Sequence, residues 1–424
     1  MSAEPASPVV VDVVIVGGGM VGASLALCLA PLPITVAVIE AVPPASGANT
    51  SFDTRTTALA NGSRNILQTL GVWDAISREA TPIHKIHVSE RGRFGSAVID
   101  ATQQGIAAMG YVVHNHVLGR ALWQRLEREP SITVLTPASV TAMRTEASCV
   151  ELNVEHGGVT RTVQARLVVA ADGADSLVRR AAGIKAEQWS YEQTAVITTV
   201  SPERLHQNIA YERFTDSGPI AMLPMAGARM GVVYTLQPAA AVEVMELDDG
   251  AFLKTLQAAF GWRLGRLSQV SARHAYPLAL TRAAAQVAAR VAVVGNASQG
   301  LHPIAGQGFN LGLRDVITLA EVIADALIAE DAVDVGNAAL LDRYGAWRAS
   351  DRRTLVGFTD GLVRLFGSPW QPVRALRGVG LLLFDLSPTA KTALSRLSLG
   401  FASHMPRLAR GVPLPTRRTP HAHT

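Results

Sequence analysis

Cysteine is almost absent from this chain: Cys28 and Cys149 are the only two, far apart, and they form neither a CxxC dithiol nor a zinc spacing. That excludes catalysis by a dithiol–disulfide pair and favours a reducing compartment. Cys28 falls in an apolar, helix-like stretch, as a buried inert thiol would. Charge is also scarce, at 17% of residues and a net +4. The basic residues, nearly all Arg, are scattered, so no nucleic-acid partner is expected. They gather only at Arg407, Arg410, Arg417 and Arg418. Residues 406–424 therefore read as a flexible solvated tail, with weak attraction to an anionic membrane surface as the alternative. Long apolar runs are missing too. Gly378 to Phe384 is the longest near the C-terminus, against the roughly 20 residues a membrane span needs. Met1 to Pro8 has no basic segment, apolar core or Arg-rich leader, so the expectation is a cytoplasmic protein, peripheral on the inner face of the membrane. No repeat, low-complexity linker or nucleophile triad stands out. His114 with His116 and His421 with His423 lack a Cys or carboxylate set, so no metal is expected. Gly295-Asn-Ala-Ser-Gln-Gly300 is one residue too long for a nucleophile elbow.

What is present is apolar. At 48% hydrophobic and 424 residues, the chain can bury a large core and suits two intertwined domains. Val9 to Val16 reads as a strand buried on both faces. Gly17-Gly-Gly-Met-Val-Gly22 follows with G-x-G-x-x-G spacing, and Ala23 to Ala30 continues as a helix that Pro31 and Pro33 stop. Ile34 to Ile39 forms the next strand and ends at Glu40. In such a unit Gly17 makes the tight turn, Gly19 admits a pyrophosphate, and Gly22 lets the helix pack closely. Glu40 is placed to accept from ribose hydroxyls and disfavours a 2′-phosphate. Nucleotide binding is the expectation, with NAD and FAD open at this point.

Farther along, Arg64 to Ile76 and Val117 to Leu126 have helical spacing; Ile86 to Ser89, Ser96 to Ile99 and Thr133 to Leu135 look like strands. Two β segments run from Ala147 to Arg166, and Leu167 to Ala171 is an apolar strand ending in Asp172-Gly173. From Gly183 to Arg282 the texture is β-rich, with strands at Thr194 to Val200, Ile209 to Thr215, Gly218 to Leu223 and Gly231 to Leu236 and a helix at Asp249 to Phe260. Val291 to Val294 returns as a strand, Leu311 to Ala329 reads as a long helix, and the chain beyond Ala338 is mostly helical. The fold expected is α/β: a Rossmann-like nucleotide-binding domain with an inserted α+β substrate domain and C-terminal helices. The nucleotide domain would take 9–80, 105–182 and 288–340; the substrate domain 81–104 and 183–287; and a helical segment 341–405.

One stretch answers the first fingerprint from nearly three hundred residues away: Val293-Val-Gly-Asn-Ala-Ser-Gln-Gly-Leu-His-Pro-Ile-Ala-Gly-Gln-Gly-Phe-Asn-Leu-Gly-Leu-Arg-Asp315. Together with Gly17 to Gly22, Glu40, Asp53-Thr-Arg55 and Val169-Ala-Ala-Asp-Gly-Ala-Asp-Ser176, in that order, it resembles the class A flavoprotein aromatic hydroxylases. The resemblance spans roughly residues 10 to 405. Gly218-Pro-Ile-Ala-Met-Leu-Pro224, Phe260-Gly-Trp-Arg-Leu264 and Tyr276-Pro-Leu-Ala-Leu280 are similar to the ubiquinone-biosynthesis branch, and most to its hydroxylases of a 2-polyprenyl-6-methoxyphenol.

The resemblance implies a para-hydroxybenzoate-hydroxylase-like fold, FAD as cofactor, NAD(P)H as transient reductant, and O2 and a polyprenyl phenol as substrates. It also implies chemistry through a flavin C4a-hydroperoxide. Carried over by position, Asp172 and Gly173 match a motif that serves flavin and nicotinamide. Arg55 and Arg120 match positions near FAD, an ordinary surface Arg being the alternative. Asn296 stands where the family usually has an Asp toward the ribityl chain; it keeps an acceptor but not the charge. Pro303, Gly306, Gln307 and Gly308 match residues lining the isoalloxazine, with Asn310 nearby. His302 would orient the phenol beside Pro303 or simply pack. Leu355 to Phe366 and Leu376 to Leu386 would form the mouth of an apolar groove for the tail, or merely cover the flavin domain. Alternatives stay open: another ring position, another phenolic substrate, or a flavin-binding accessory subunit of a quinone-synthesis complex.

Overall fold

A strand covered on both faces tolerates apolar side chains at successive positions, and the valine-rich segments form such strands here. The protein is described from a computed structural model over residues 8–43, 55–300, 307–330, 332–350 and 405–416. Val9–Val16 lies at the centre of an eight-stranded sheet, between Val159–Ala170 and Val36–Ile39 and parallel to both. Ile132–Leu135 extends it on one side and Val291–Val293 on the other, again parallel. Helices Met20–Leu29, Asn115–Glu127 and Gln307–Ala329 bury their apolar residues on one face. This is the Rossmann-like half, and Cys28 lies inside it, its thiol pushed up to about 12 by burial.

The inserted half is a nine-stranded sheet built around Ala186–Pro202, which pairs antiparallel with Arg229–Leu236 and His274–Ala283. Beyond these come Gly218–Met225, Ile209–Thr215, Lys85–Glu90 and Ser96–Asp100. Helices Pro238–Glu246 and Asp249–Phe260 cover one face through Phe252, Leu256 and Phe260 against Tyr211, Met222 and Val232. A three-stranded sheet of Thr56–Ala60, Gly110–His114 and Thr81–Ile83 packs on the other, where Ile83, Met109 and Val112 meet Ala210 and Met225. Hence the stretch expected as substrate-domain strands, 81–104, divides: Thr81–Ile83 belongs to the bridging sheet and only the following two strands to the large one.

The tail expectation is corrected for residues 406–416. Arg407–Arg410 forms a short helical turn whose Leu408 and Ala409 are buried, as is Leu414. Arg407 does not face solvent alone: its guanidinium lies 3.1 Å from Glu321 and 2.7 Å from Asp325, and its backbone N–H donates to Glu321. A basic cluster read from composition cannot show that one member has two acids waiting on a helix about 80 residues earlier. The helices expected at Leu355 to Phe366 and Leu376 to Leu386 lie outside the described residues, while 338–350 is helical. No helix among the described residues is long and apolar enough to cross a membrane.

Candidate functional site

The first turn is closed by contacts that leave no room for side chains. A Cβ on Gly17, whose φ is +102°, would lie 2.4 Å from the Ala171 carbonyl oxygen, and one on Gly22 would strike the Gly17 carbonyl oxygen at 1.9 Å. Gly18, the unassigned middle position of the motif, is equally constrained: its Cβ would meet the Trp123 ring at 2.7 Å and Glu40 at 3.0 Å. The Trp123 indole N–H donates to the Gly18 carbonyl at 2.8 Å. An apolar helix pattern predicts a buried Trp but not this bond, so Trp123 was missed. Glu40 is buried and accepts the Gly18 N–H at 2.6 Å through one oxygen and the Val42 N–H at 2.8 Å through the other. Each oxygen keeps further acceptor capacity for a ribose hydroxyl. Gly19 caps helix Met20–Leu29 without a side-chain acceptor and no acid occupies the first turn, leaving the N-terminal amides for phosphate.

Asp172 and Gly173 form the turn beside this one. Ala171 N–H donates to the Val16 carbonyl, and Asp172 Oδ2 accepts the Val178 N–H at 3.2 Å. Asp172 Oδ1 is buried with no hydrogen-bond partner among the described residues. A buried acceptor of that kind is costly unless a ligand donor completes it. Buried Arg179, which sequence alone did not single out, follows in helix Leu177–Ala181 and donates to the Ala297 carbonyl at 2.7 Å. It ties the Asp-Gly segment to the second glycine-rich stretch.

That stretch meets the first fingerprint physically. Val21, inside Gly17 to Gly22, lies 3.1 Å from where a Gly295 Cβ would be and 2.8 Å from that of Gly312. The turn Gly295–Ala297 is buried except for Asn296, whose exposed side chain makes no hydrogen bond to a described residue. Asp315, fully buried, accepts the Gly295 N–H at 3.1 Å and pairs with Arg348 at 2.8 Å. Gly308 has open space where a Cβ would stand. His302, Pro303 and Gly306 lie outside the described residues; Gln307 begins helix Gln307–Ala329.

The remaining candidates divide. Arg55 turns toward the inserted sheet, its guanidinium 5.2 Å over the Tyr276 ring. Arg120 is exposed, one turn before Trp123 on the same helix. Asn310 is almost wholly buried and braces the scaffold: its Oδ1 accepts from Ala60 N–H and the Ser63 hydroxyl, and its amide donates to the Ala58 carbonyl. Its described bonds thus go to strand Thr56–Ala60 and the start of the helix that follows it.

Together these residues fit FAD: a glycine cradle under free amides, a buried carboxylate with spare acceptors, and a completing site at Asp172. If Asn296 reaches the cofactor as the resemblance implies, Asn296→Ala should weaken FAD retention several-fold and Asn296→Asp preserve it. Fluorescence titration of apoprotein with FAD checks this, and equal affinities in all three proteins would remove Asn296 from the site.

Comparison with known proteins agrees. The family described as an FAD binding domain matches residues 10–359. Ubiquinone hydroxylase UbiL of Rhodospirillum rubrum is 39% identical over 96% of this chain and 94% of its own. The 3-demethoxyubiquinol 3-hydroxylase of Escherichia coli is 34% identical over 92% and 98%. Among solved structures, the p-nitrophenol 4-monooxygenase PnpA of Pseudomonas putida superposes with a TM-score of 0.75 at 20% identity, covering 94% of this chain and all of that one. The two glycine motifs, their contact through Val21 and this full-length similarity place the chain in the FAD binding domain family, among its FAD-dependent aromatic hydroxylases.

Proposed function

We propose that this protein hydroxylates the ring of a 2-polyprenyl-6-methoxyphenol in ubiquinone biosynthesis, with NAD(P)H as passing reductant and O2 as oxidant. The observation that carries the proposal is near-complete alignment with two hydroxylases whose names place them in ubiquinone chemistry. The balance is one phenol, one O2, one NAD(P)H and one proton giving one dihydroxylated ring, NAD(P)+ and water. FAD, when bound, supplies the activated oxygen. The chain's own tasks are to hold the ring against the flavin and exclude water. A glycine cradle and a sheet face suit those tasks better than a triad would. The polyprenyl tail needs an apolar surface, for which peripheral membrane contact or a quinone-synthesis protein complex would serve.

A second reading concerns ring position, because one relative is named as a 3-hydroxylase of a demethoxyubiquinol. Mass spectrometry of the product from each phenol separates the two. The hydroxylase proposal itself is tested by anaerobic stopped-flow: substrate should accelerate bleaching of bound FAD by NAD(P)H by at least about tenfold. No acceleration with any phenol, and no substrate-dependent oxygen uptake, would leave the protein as a flavin-binding accessory subunit.

A further inference from the structure

One acid stands in an apolar row of the inserted sheet. In strand Ile209–Thr215 successive side chains point to opposite faces. Tyr211 points to the covering helices, where its ring meets Phe260 edge-on at 5.6 Å, so Glu212 points away from them. The strand register sets Val88 and Ala221 on either side of Glu212, then Val233, Ile197 and His274 on successive strands.

Three contacts fix where this face looks. Ala210, two residues before Glu212, packs with Ile83 and Val112 of the bridging sheet. Tyr276, two residues after His274, lies under the Arg55 guanidinium. Gly231, two residues before Val233, would place a Cβ 3.6 Å from Thr56 Oγ1. Arg55 and Thr56 lead into the strand that Asn310 fastens to the helix following the second flavin motif. Glu212 therefore lies on the face of the inserted sheet that is turned toward the bridging sheet and the segment leading to the glycine-rich motifs, the side on which a ring must lie to meet FAD.

Its Oε1 is buried and has no hydrogen-bond partner among the described residues. The other titratable or charged groups presented on this face are Glu90, Arg229, Arg55, Tyr276 and His274. Burial alone pushes the Glu212 carboxyl up to about 7, into the range where a general base works at neutral pH. Arg213, the next residue, points to the opposite face and does not neutralise it.

We propose that Glu212 receives the hydroxyl proton of the bound phenol as the ring is hydroxylated. This rests on the phenol reading above and names the base that reading needs. The proton passes from the phenolic oxygen to the carboxylate, and the electron pair left on oxygen raises electron density at the ortho and para carbons; one of these forms the new C–O bond as the O–O bond of the activated oxygen breaks, then loses its hydrogen as a proton, and the ring's first oxygen takes up a proton as aromaticity returns. The carboxyl then returns the proton to solvent, and the oxidant and reductant remain O2 and NAD(P)H.

The test uses the FAD-loaded, full-length protein with a short-tailed 2-alkyl-6-methoxyphenol. In the wild type, kcat for hydroxylated product should rise with pH through about 7, as Glu212 ionises. Glu212→Gln should keep FAD content, lower kcat about 100-fold with KM changed far less, and lose the pH rise. Glu212→Asp should regain part of that rise. The Gln variant should also melt higher than wild type at pH 8 but not at pH 5. The folded acid binds its proton more tightly than the unfolded one, so the wild type loses stability as pH rises from the ordinary carboxylate value of 4.5 to about 7, and the loss is complete above that. Product formation by Glu212→Gln at the wild-type rate with an unchanged pH profile overturns the proposal. If Glu212→Gln loses FAD, the Asp profile decides, and one identical to wild type in rate and pH dependence overturns it equally. Wild-type protein that makes no hydroxylated phenol overturns the phenol reading, and the inference with it.

Discussion

Gly22→Ala should abolish FAD retention, lowering affinity at least about 100-fold, with a loss of at least about 1–3 kcal/mol of apoprotein stability from overpacking. The methyl would be 1.9 Å from the Gly17 carbonyl oxygen and 3.3 Å from the Ala171 side chain. The turn cannot open to accommodate it, because Gly17 already sits at φ +102° with Ala171 backbone against it. Nor can the helix retreat: every residue from Gly22 to Leu29 is buried, and its neighbours include helices Asn115–Glu127 and Gln307–Ala329. Either shift carries the amides at the helix start away from the phosphate position, and Val21 away from Gly295 and Gly312. One methyl thus disturbs both glycine-rich motifs. FAD titration and thermal unfolding of the apoprotein measure the two effects separately. An affinity within threefold of wild type would sink the claim that this contact sets the cradle.

Much of this architecture was legible because its physics is local. Strand Val9–Val16, the glycine turn and Glu40 are consecutive, so spacing alone assigns them, and helix Asp249–Phe260 has an N-cap Asp248 and a C-terminal Gly261 that mark its ends. What stayed hidden lacked an apolar signal. Strand Ala138–Thr145 is largely exposed, and helix Pro238–Glu246 is too rich in alanine to show a clear stripe. Strand Ala186–Pro202 was seen only from Thr194, since its first half is polar and breaks register between Ser190 and Gln193. The site showed the same division. The turn glycines Gly17 and Gly22, whose neighbours leave no room for a side chain, could be named in advance. Trp123, Arg179 and Glu212 act through partners or faces that only the folded chain brings together, and Arg348 belongs with them.

Arg348→Ala should destabilise the protein by about 3–5 kcal/mol, the range for removing one partner of a buried ion pair. Both Arg348 and Asp315 are 0% exposed in their side chains, joined by a 2.8 Å bond from Nε to Oδ1. Truncating the arginine leaves the Asp315 carboxylate inside the core with only the Gly295 N–H as a described donor, besides a cavity of arginine size. The damage should extend beyond stability. Asp315 holds Gly295 in a conformation with φ +58°, and Gly295 packs against Val21 of the first fingerprint, so a relaxed Asp315 loosens the second glycine-rich stretch. FAD affinity should therefore fall with stability in Arg348→Ala. The control is the pair Arg348→Met with Asp315→Asn, which removes both charges, keeps much of the volume and preserves an acceptor for the Gly295 N–H. It should recover at least half of the lost stability and most of the FAD affinity. Additive losses in this double-mutant cycle, measured by denaturant unfolding, would show that the two residues act independently and that Arg348 has no part in shaping the loop.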